Sequence, residues 1–178
     1  MIILGVDPGT LFCGYGIIRL NKTTPLYIKS GVINLTSEKT LPNKLKVIYD
    51  ELSLIIRRNK PTEFAIETAF YGKNIQSAMK IGYARGVSLL AAVHNDLEIR
   101  EYSPREVKKA VVGNGAASKE QVKYMVASTL NLDSDFKKFD ESDALSIALC
   151  HAFRFKTPSV RNTSWKAFVE AFPERIIK

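Results

Sequence analysis

The sequence predicts an α/β fold, a mixed five-stranded sheet with its first three strands antiparallel and helices flanking it. Three observations carry this expectation. Met1 to Asp7 is a nearly continuous apolar run, the pattern of a strand buried on both faces at the centre of a sheet. Two further β-patterned stretches follow closely, with turn chemistry between the first and second. From Leu41 onward helical periods alternate with short apolar strands, and strands entered in that way require crossover connections.

Taken in order, Asp7-Pro8-Gly9 supplies the first turn, because Pro fixes its own φ and Gly is free to take a positive one. Gly14 to Leu20 and Tyr27 to Leu35 are the second and third strands. Leu45, Ile48, Leu52 and Ile55 step by three, four and three, which predicts a helix from Leu41, with Pro42 suited to its first turn. Pro61 disfavours helical geometry at the residue before it and ends that helix near Asn59. Glu63 to Glu67 is a short strand. Asn74 to His94 reads as a long helix rich in small residues, in which Gly82 and Gly86 leave a bare strip that predicts close packing. Leu97 to Tyr102 is the fifth strand. Ser103-Pro104-Arg105-Glu106 and Ser118-Lys119-Glu120-Gln121 both have the pattern of a capped helix start, and Val111 to Gly115 reads as a flexible connection. A last helix runs from about Asp140 to Phe155, with Leu145, Leu149, Ala152 and Phe153 on one buried stripe.

The 178 residues suit one domain, placed over 1–155, followed by a tail over 156–178. Around that boundary Arg154, Lys156, Arg161 and Lys166 form a basic run. Trp165, Phe168, Val169 and Phe172 then follow the spacing of a short amphipathic helix, which either docks on the body or adds a contact to DNA. With 26 basic and 18 acidic residues the net charge is +8, which favours a polyanionic partner. No apolar run approaches the ~18 residues of a membrane span, and Met1 to Val6 is too short and lacks the basic flank of a signal peptide. A cytoplasmic protein that binds nucleic acid is expected. Cys13 and Cys150 read as reduced, semi-buried thiols, and His94 and His151 as ordinary helix histidines without partners at metal-ligand spacing.

Four acids carry the candidate chemistry. Asp7 and Glu67 each end an apolar strand, and Asp140 and Asp143 lie three apart on one helical face. Ligands gather outside strand ends in α/β sheets, so two strand-end carboxylates under a helix with two more form an oxygen cage suited to Mg²⁺. Each acid also has a plainer explanation: Asp7 as a turn residue, Glu67 as a solvating strand end, Asp140 as an N-cap with Asp143 as its capping partner.

Segments spread over the first 155 residues bear on that choice: Leu4-Gly5-Val6-Asp7-Pro8-Gly9 with Gly14-Tyr15-Gly16, Ala65-Ile66-Glu67 with Phe70 and Lys73-Asn74, and Ala84-Arg85-Gly86. Further along come Val107-Lys108, Val111-Val112-Gly113 with Gly115, Ser118-Lys119, and Asp140-Glu141-Ser142-Asp143-Ala144-Leu145-Ser146-Ile147-Ala148. In this order they resemble the bacterial Holliday junction resolvase family RuvC, of the RNase H-like and retroviral-integrase-like nuclease superfamily. The resemblance implies an RNase H-like fold and an endonuclease that resolves four-way junctions by paired symmetric nicks. It implies that Asp7, Glu67, Asp140 and Asp143 hold Mg²⁺ or Mn²⁺, two ions per active site. It also implies that Lys119 assists catalysis, that Lys108 and Lys119 contact DNA near the site, and that Phe70 stacks on a base at the junction. Lys73, two residues beyond Tyr71, is expected to add a DNA contact. The family acts as a homodimer, for which the 74–94 helix is the expected interface, and cooperates with the RuvA and RuvB branch-migration proteins. Two other readings remain open at this level: an actin-like kinase, which shares the Asp-x-Gly opening but needs a second domain, and a catalytically silent DNA-binding module, which would be expected to lack one or more of the acids.

Overall fold

A strand as apolar as Ile2–Asp7 must be covered on both faces and paired on both edges, and that is where the chain places it. The computed structural model describes residues 1–68, 74–132, 136 and 139–155; the 156–178 tail expected to carry an amphipathic helix lies outside the described residues. Five strands form one sheet: β1 (Ile2–Asp7), β2 (Phe12–Asn21), β3 (Thr24–Asn34), β4 (Glu63–Glu67) and β5 (Glu98–Tyr102), in the order β3-β2-β1-β4-β5. β1, β2 and β3 pair antiparallel, whereas β4 and β5 run parallel to β1. The sheet has the mixed five-stranded arrangement expected from the sequence. β3 begins three residues earlier than its alternation suggests because the ladder continues to the turn, down to Asn21 opposite Thr24, and β2 begins two earlier because Phe12 and Cys13 pair with Asn34 and Ile33 at the other end.

Helices α1 (Leu41–Asn59) and α2 (Ile75–Val93) cover one face. Ile48, Leu52 and Ile56 pack there with Leu4, Val6, Ile17, Phe64 and Ile66. Thr40 caps α1 through its side-chain oxygen, and Pro42 lies in the first turn. The other face is covered by α3 (Pro104–Val112), α4 (Lys119–Leu130) and α5 (Phe139–Phe155), whose Val107, Val111, Val122, Val126, Leu145 and Leu149 share a second core with Ile3, Ile18 and Ala65. Ser103 and Ser118 each form a full capping box, with Glu106 and Gln121 respectively. Val111 and Val112 belong to α3 rather than to a flexible connection: the helix carries on until Gly113, whose φ of 84° ends it in a left-handed turn.

One expectation is corrected by packing. The last helix does not bury a single stripe; from Ala144 to Ala152 every residue is buried, because α5 is enclosed by the sheet, α3 and α4. The closest backbone approach within the chain is one that the sequence reading did not anticipate. A Cβ at Gly82 or Gly86 would meet nothing within 4 Å, so within one chain that strip is open. The tight seat lies under α5: a Cβ at Gly5 would stand 2.2 Å from the Ala144 carbonyl oxygen, and one at Gly14 would stand 2.0 Å from that of Asp140. His151, on the buried part of α5, shares a 2.7 Å hydrogen bond with the Tyr102 hydroxyl through Nδ1, and burial lowers its pKa to about 4, so it stays neutral. Cys13 and Cys150 are free and fully buried, more enclosed than expected. Among the described residues no helix is long and apolar enough to cross a membrane.

The glycine seat gives a direct test. Gly5→Ala should destabilise the protein by about 2 kcal/mol through overpacking against backbone that cannot withdraw like a side chain. Urea unfolding of the variant beside the parent measures the difference.

Candidate active site

β1 and β4 are parallel neighbours with Val6 opposite Ile66, so the next residues, Asp7 and Glu67, emerge side by side at the same end of the sheet. Both strands run out of apolar sequence at those acids. The first turn of α5 crosses this end with its backbone on Gly14, the register partner of Asp7, and brings Asp140 and Asp143 with it. A cavity of about 250 Å³ opens here, lined by Asp7, Glu67 and Asp143 together with Lys108, Lys119 and Ser146, and floored by Val107, Val122 and Ile147. Asp140 does not line it, but its charge acts on Asp7.

The two lysines arrive on separate capped helices, Lys108 in α3 and Lys119 at the first position of α4. Lys119 Nζ donates to Asp143 Oδ2 at 3.1 Å. An ammonium at a helix N-terminus opposes the helix dipole, so on helix energetics alone this position is unfavourable, and the Asp143 charge offsets it. Arg85 on α2 braces the site from the other face. Its Nε donates to the Glu67 carbonyl oxygen at 3.1 Å, and its guanidinium pairs with Glu101. Sequence reasoning gave Arg85 no role, because its contact depends on how α2 meets the end of β4.

Electrostatics shows what the cavity lacks. Burial is the main cause that raises the Asp7 carboxyl to about 7, and the charges of Asp143, Glu67 and Asp140 add to it, against a lowering by Lys119. Glu67 is likewise pushed up to about 7 by burial and then by Asp143, partly countered by Lys119 and Lys108. Asp143 is raised by burial despite its lysine partner, and Lys119 is raised chiefly by the Asp143 charge. Burial first, and at Asp7 and Glu67 the neighbouring acids next, thus outweigh what the lysines offset. The oxygen-only donors and the uncompensated charge fit a hard divalent cation. Among the described residues, no three acids, histidines or cysteines close on one point as a finished ligand shell. The acids ring the cavity instead. Phe70 and Lys73, the expected junction-stacking aromatic and its basic neighbour, lie outside the described residues.

Comparison with known proteins follows the same line. The family model described as "Crossover junction endodeoxyribonuclease RuvC" matches residues 3–151. The protein of that name from Chloroherpeton thalassium is 44% identical over 186 residues, covering 100% of both chains. Its counterpart from Chlorobium phaeobacteroides is 42% identical over 187 residues, again covering 100% of both. Among solved structures, Thermus thermophilus RuvC in complex with Holliday junction substrate superposes with a TM-score of 0.82 at 29% identity, over 88% of this chain and 95% of that one. Four acids at one end of an RNase H-like sheet, two lysines facing them and a match over 3–151 lead to one conclusion: the chain belongs to the RuvC family of crossover junction endodeoxyribonucleases.

Proposed function

We propose that this protein is a divalent-metal-dependent endonuclease that resolves four-way DNA junctions in recombination and repair, cutting two strands symmetrically. The observation that carries the proposal is the cavity in which Asp7, Glu67 and Asp143 meet Lys108 and Lys119, on a chain matched along 3–151. Asp7, Glu67, Asp140 and Asp143 would hold two Mg²⁺ ions, or Mn²⁺ in their place. When bound, such ions activate a water, polarise the scissile phosphate and stabilise the departing 3′ oxygen.

The residues of the chain supply the rest. The raised pKa values of Asp7 and Glu67 mean that without added positive charge each carboxyl tends to keep a proton near neutral pH, which limits repulsion of the incoming phosphate. Lys119 and Lys108 add ammonium groups on the wall facing those acids, where they hold phosphate oxygens as point charges. Arg85 fixes the backbone at Glu67, so that this carboxylate leaves the strand in one direction. Phe70 and Lys73 are assigned to the junction itself, by base stacking and phosphate contact.

A twofold dimer presents two such sites to a junction of near twofold symmetry. The surface assigned to it is the outer face of α2. Ile75, Met79, Tyr83, Leu90 and Val93 are all exposed there, and the open strip of Gly82 and Gly86 lies among them. Cooperation with RuvA and RuvB rests on family membership, and action in the cytoplasm is in keeping with two free thiols. The 1–155 body is taken as the nuclease domain and the 156–178 tail as a basic appendage.

Labelled junction and matched duplex should be cut very differently by the purified protein, and neither should be cut in EDTA; equal cutting of both would leave a nuclease without junction selectivity. Asp7→Asn, which removes charge at nearly constant shape, should still shift the junction in a gel while losing at least about a hundredfold in cleavage rate. Gly86→Trp should leave the isolated fold intact, since nothing among the described residues lies within 4 Å of a Cβ there, but should shift sedimentation towards monomer.

Acid titration gives a further test. The folded Asp7 and Glu67 carboxyls titrate near 7 against ordinary values of 3.8 and 4.5, so between roughly pH 4 and 7 the folded state holds protons that the unfolded state has released. Their contribution to stability is therefore lost as pH rises through that window. In EDTA the melting temperature of the parent should fall relative to Asp7→Asn as pH rises. Added MgCl₂ should stabilise the parent more above pH 7 than under mildly acid conditions.

A further inference from the structure

The start of α5 carries Asp140, Glu141 and Asp143; Asp143 lines the cavity and Asp140 acts on Asp7 through its charge, whereas Glu141 does neither. Glu141 reaches the other way, to edge strand β3, where its Oε1 accepts a 2.6 Å hydrogen bond from Ser30 Oγ across 111 residues of sequence. The hydrogens there have a single consistent direction. Since Ser30 Oγ–H is committed to Glu141, the Tyr27 hydroxyl, 3.0 Å away, donates to Ser30 Oγ, and Tyr27 in turn accepts from the Ser30 backbone N–H at 3.0 Å. A carboxylate acceptor makes the Ser30 bond a charge-assisted one, and Glu141 also gains from the helix N-terminus it stands on.

We propose that Ser30 and Glu141 are a positioning pair that sets the roll of α5 about its axis, and through it the placement of Asp140 and Asp143 for cation binding. The inference rests on the metal-nuclease reading above. The glycine seat fixes how closely α5 approaches the sheet, since the Asp140 carbonyl oxygen bears directly on Gly14. Packing on all sides holds the body of α5 from Ala144 to Ala152, whereas Glu141 and Asp143 at its N-terminal end are only partly buried, and there the Ser30–Glu141 bond, beside that of Lys119 to Asp143, sets the angle. A roll of about 20° at the ~5 Å radius of a helix side chain displaces a carboxylate by roughly 2 Å. That is as long as a Mg²⁺–oxygen bond, and Mg²⁺ tolerates little departure from octahedral geometry. Residue 141 is one helical step from Asp140 and two from Asp143, so a single tether governs both.

The test uses the full chain and four single variants, Ser30→Ala, Ser30→Thr, Glu141→Ala and Glu141→Gln. Each is titrated with MgCl₂ by two readouts, the rise in melting temperature and the rate of junction cleavage. The alanine variants should need about tenfold more Mg²⁺ to reach the midpoint of both, while their rate at saturating Mg²⁺ stays near that of the parent. Ser30→Thr keeps the hydroxyl and Glu141→Gln keeps an acceptor oxygen, so both should stay near the parent midpoint. The double alanine variant should go no further than either single one, as expected of two residues in one interaction. Alanine variants with the parent midpoint overturn the proposal, and so does a loss of saturating rate at an unchanged midpoint. If the parent itself neither melts higher with Mg²⁺ nor cuts, the nuclease reading fails first, and that result is distinct from the other two.

Discussion

The seating of α5 on bare backbone at β1 and β2 is the constraint on which the rest of the molecule turns. Side chains at Gly5 and Gly14 would collide with helix backbone atoms at 2.2 and 2.0 Å, so at those two positions the helix lies directly on strand backbone. That proximity lets residues on the first helical turn share a cavity with residues at strand ends. It also explains why α5 is buried nearly all round, for a helix sunk this far into the sheet leaves room for α3 and α4 to close over it. Both lysine-bearing helices are thereby carried to the same cavity.

What the scaffold assembles is electrostatically unfavourable in the absence of a cation. Three acids share a small volume with partial burial, and burial is the first cause of every upward shift among them. A fold selected only for stability would place apolar or paired groups here, and would not start α4 with a lysine. The stability comes from elsewhere: the two capping boxes, the paired and covered β1, and the two cores on either side of the sheet.

Much of this was legible in the sequence, for identifiable reasons. Strong periodicity fixed α1 and the apolar runs fixed β1 and β4, while the Ser-Pro-x-Glu and Ser-x-x-Gln patterns located two helix starts to the residue. The four acids were visible as strand-end and helix-turn charges, and family resemblance singled them out among equally plain alternatives. Gly82 and Gly86 drew attention because they sit in a helix, whereas the glycines under pressure within the chain, Gly5, Gly14 and Gly16, lie in strands and gave no such signal. Arg85 and the Ser30–Glu141 bond were out of reach, since both depend on which residues of distant segments meet, and a local pattern does not encode that.

The origin of the acids along the chain has a consequence for the cell. Asp7 comes from the first strand, Glu67 from the fourth and Asp143 from the last helix, so the cavity unites residues that a ribosome delivers at the beginning, middle and end of the nuclease body. Contacts of such long sequence separation form late, after the intervening loops have been closed. On the reading proposed above, a nascent or partly folded chain carries the basic charge that attracts DNA before the acids assigned to cutting have met.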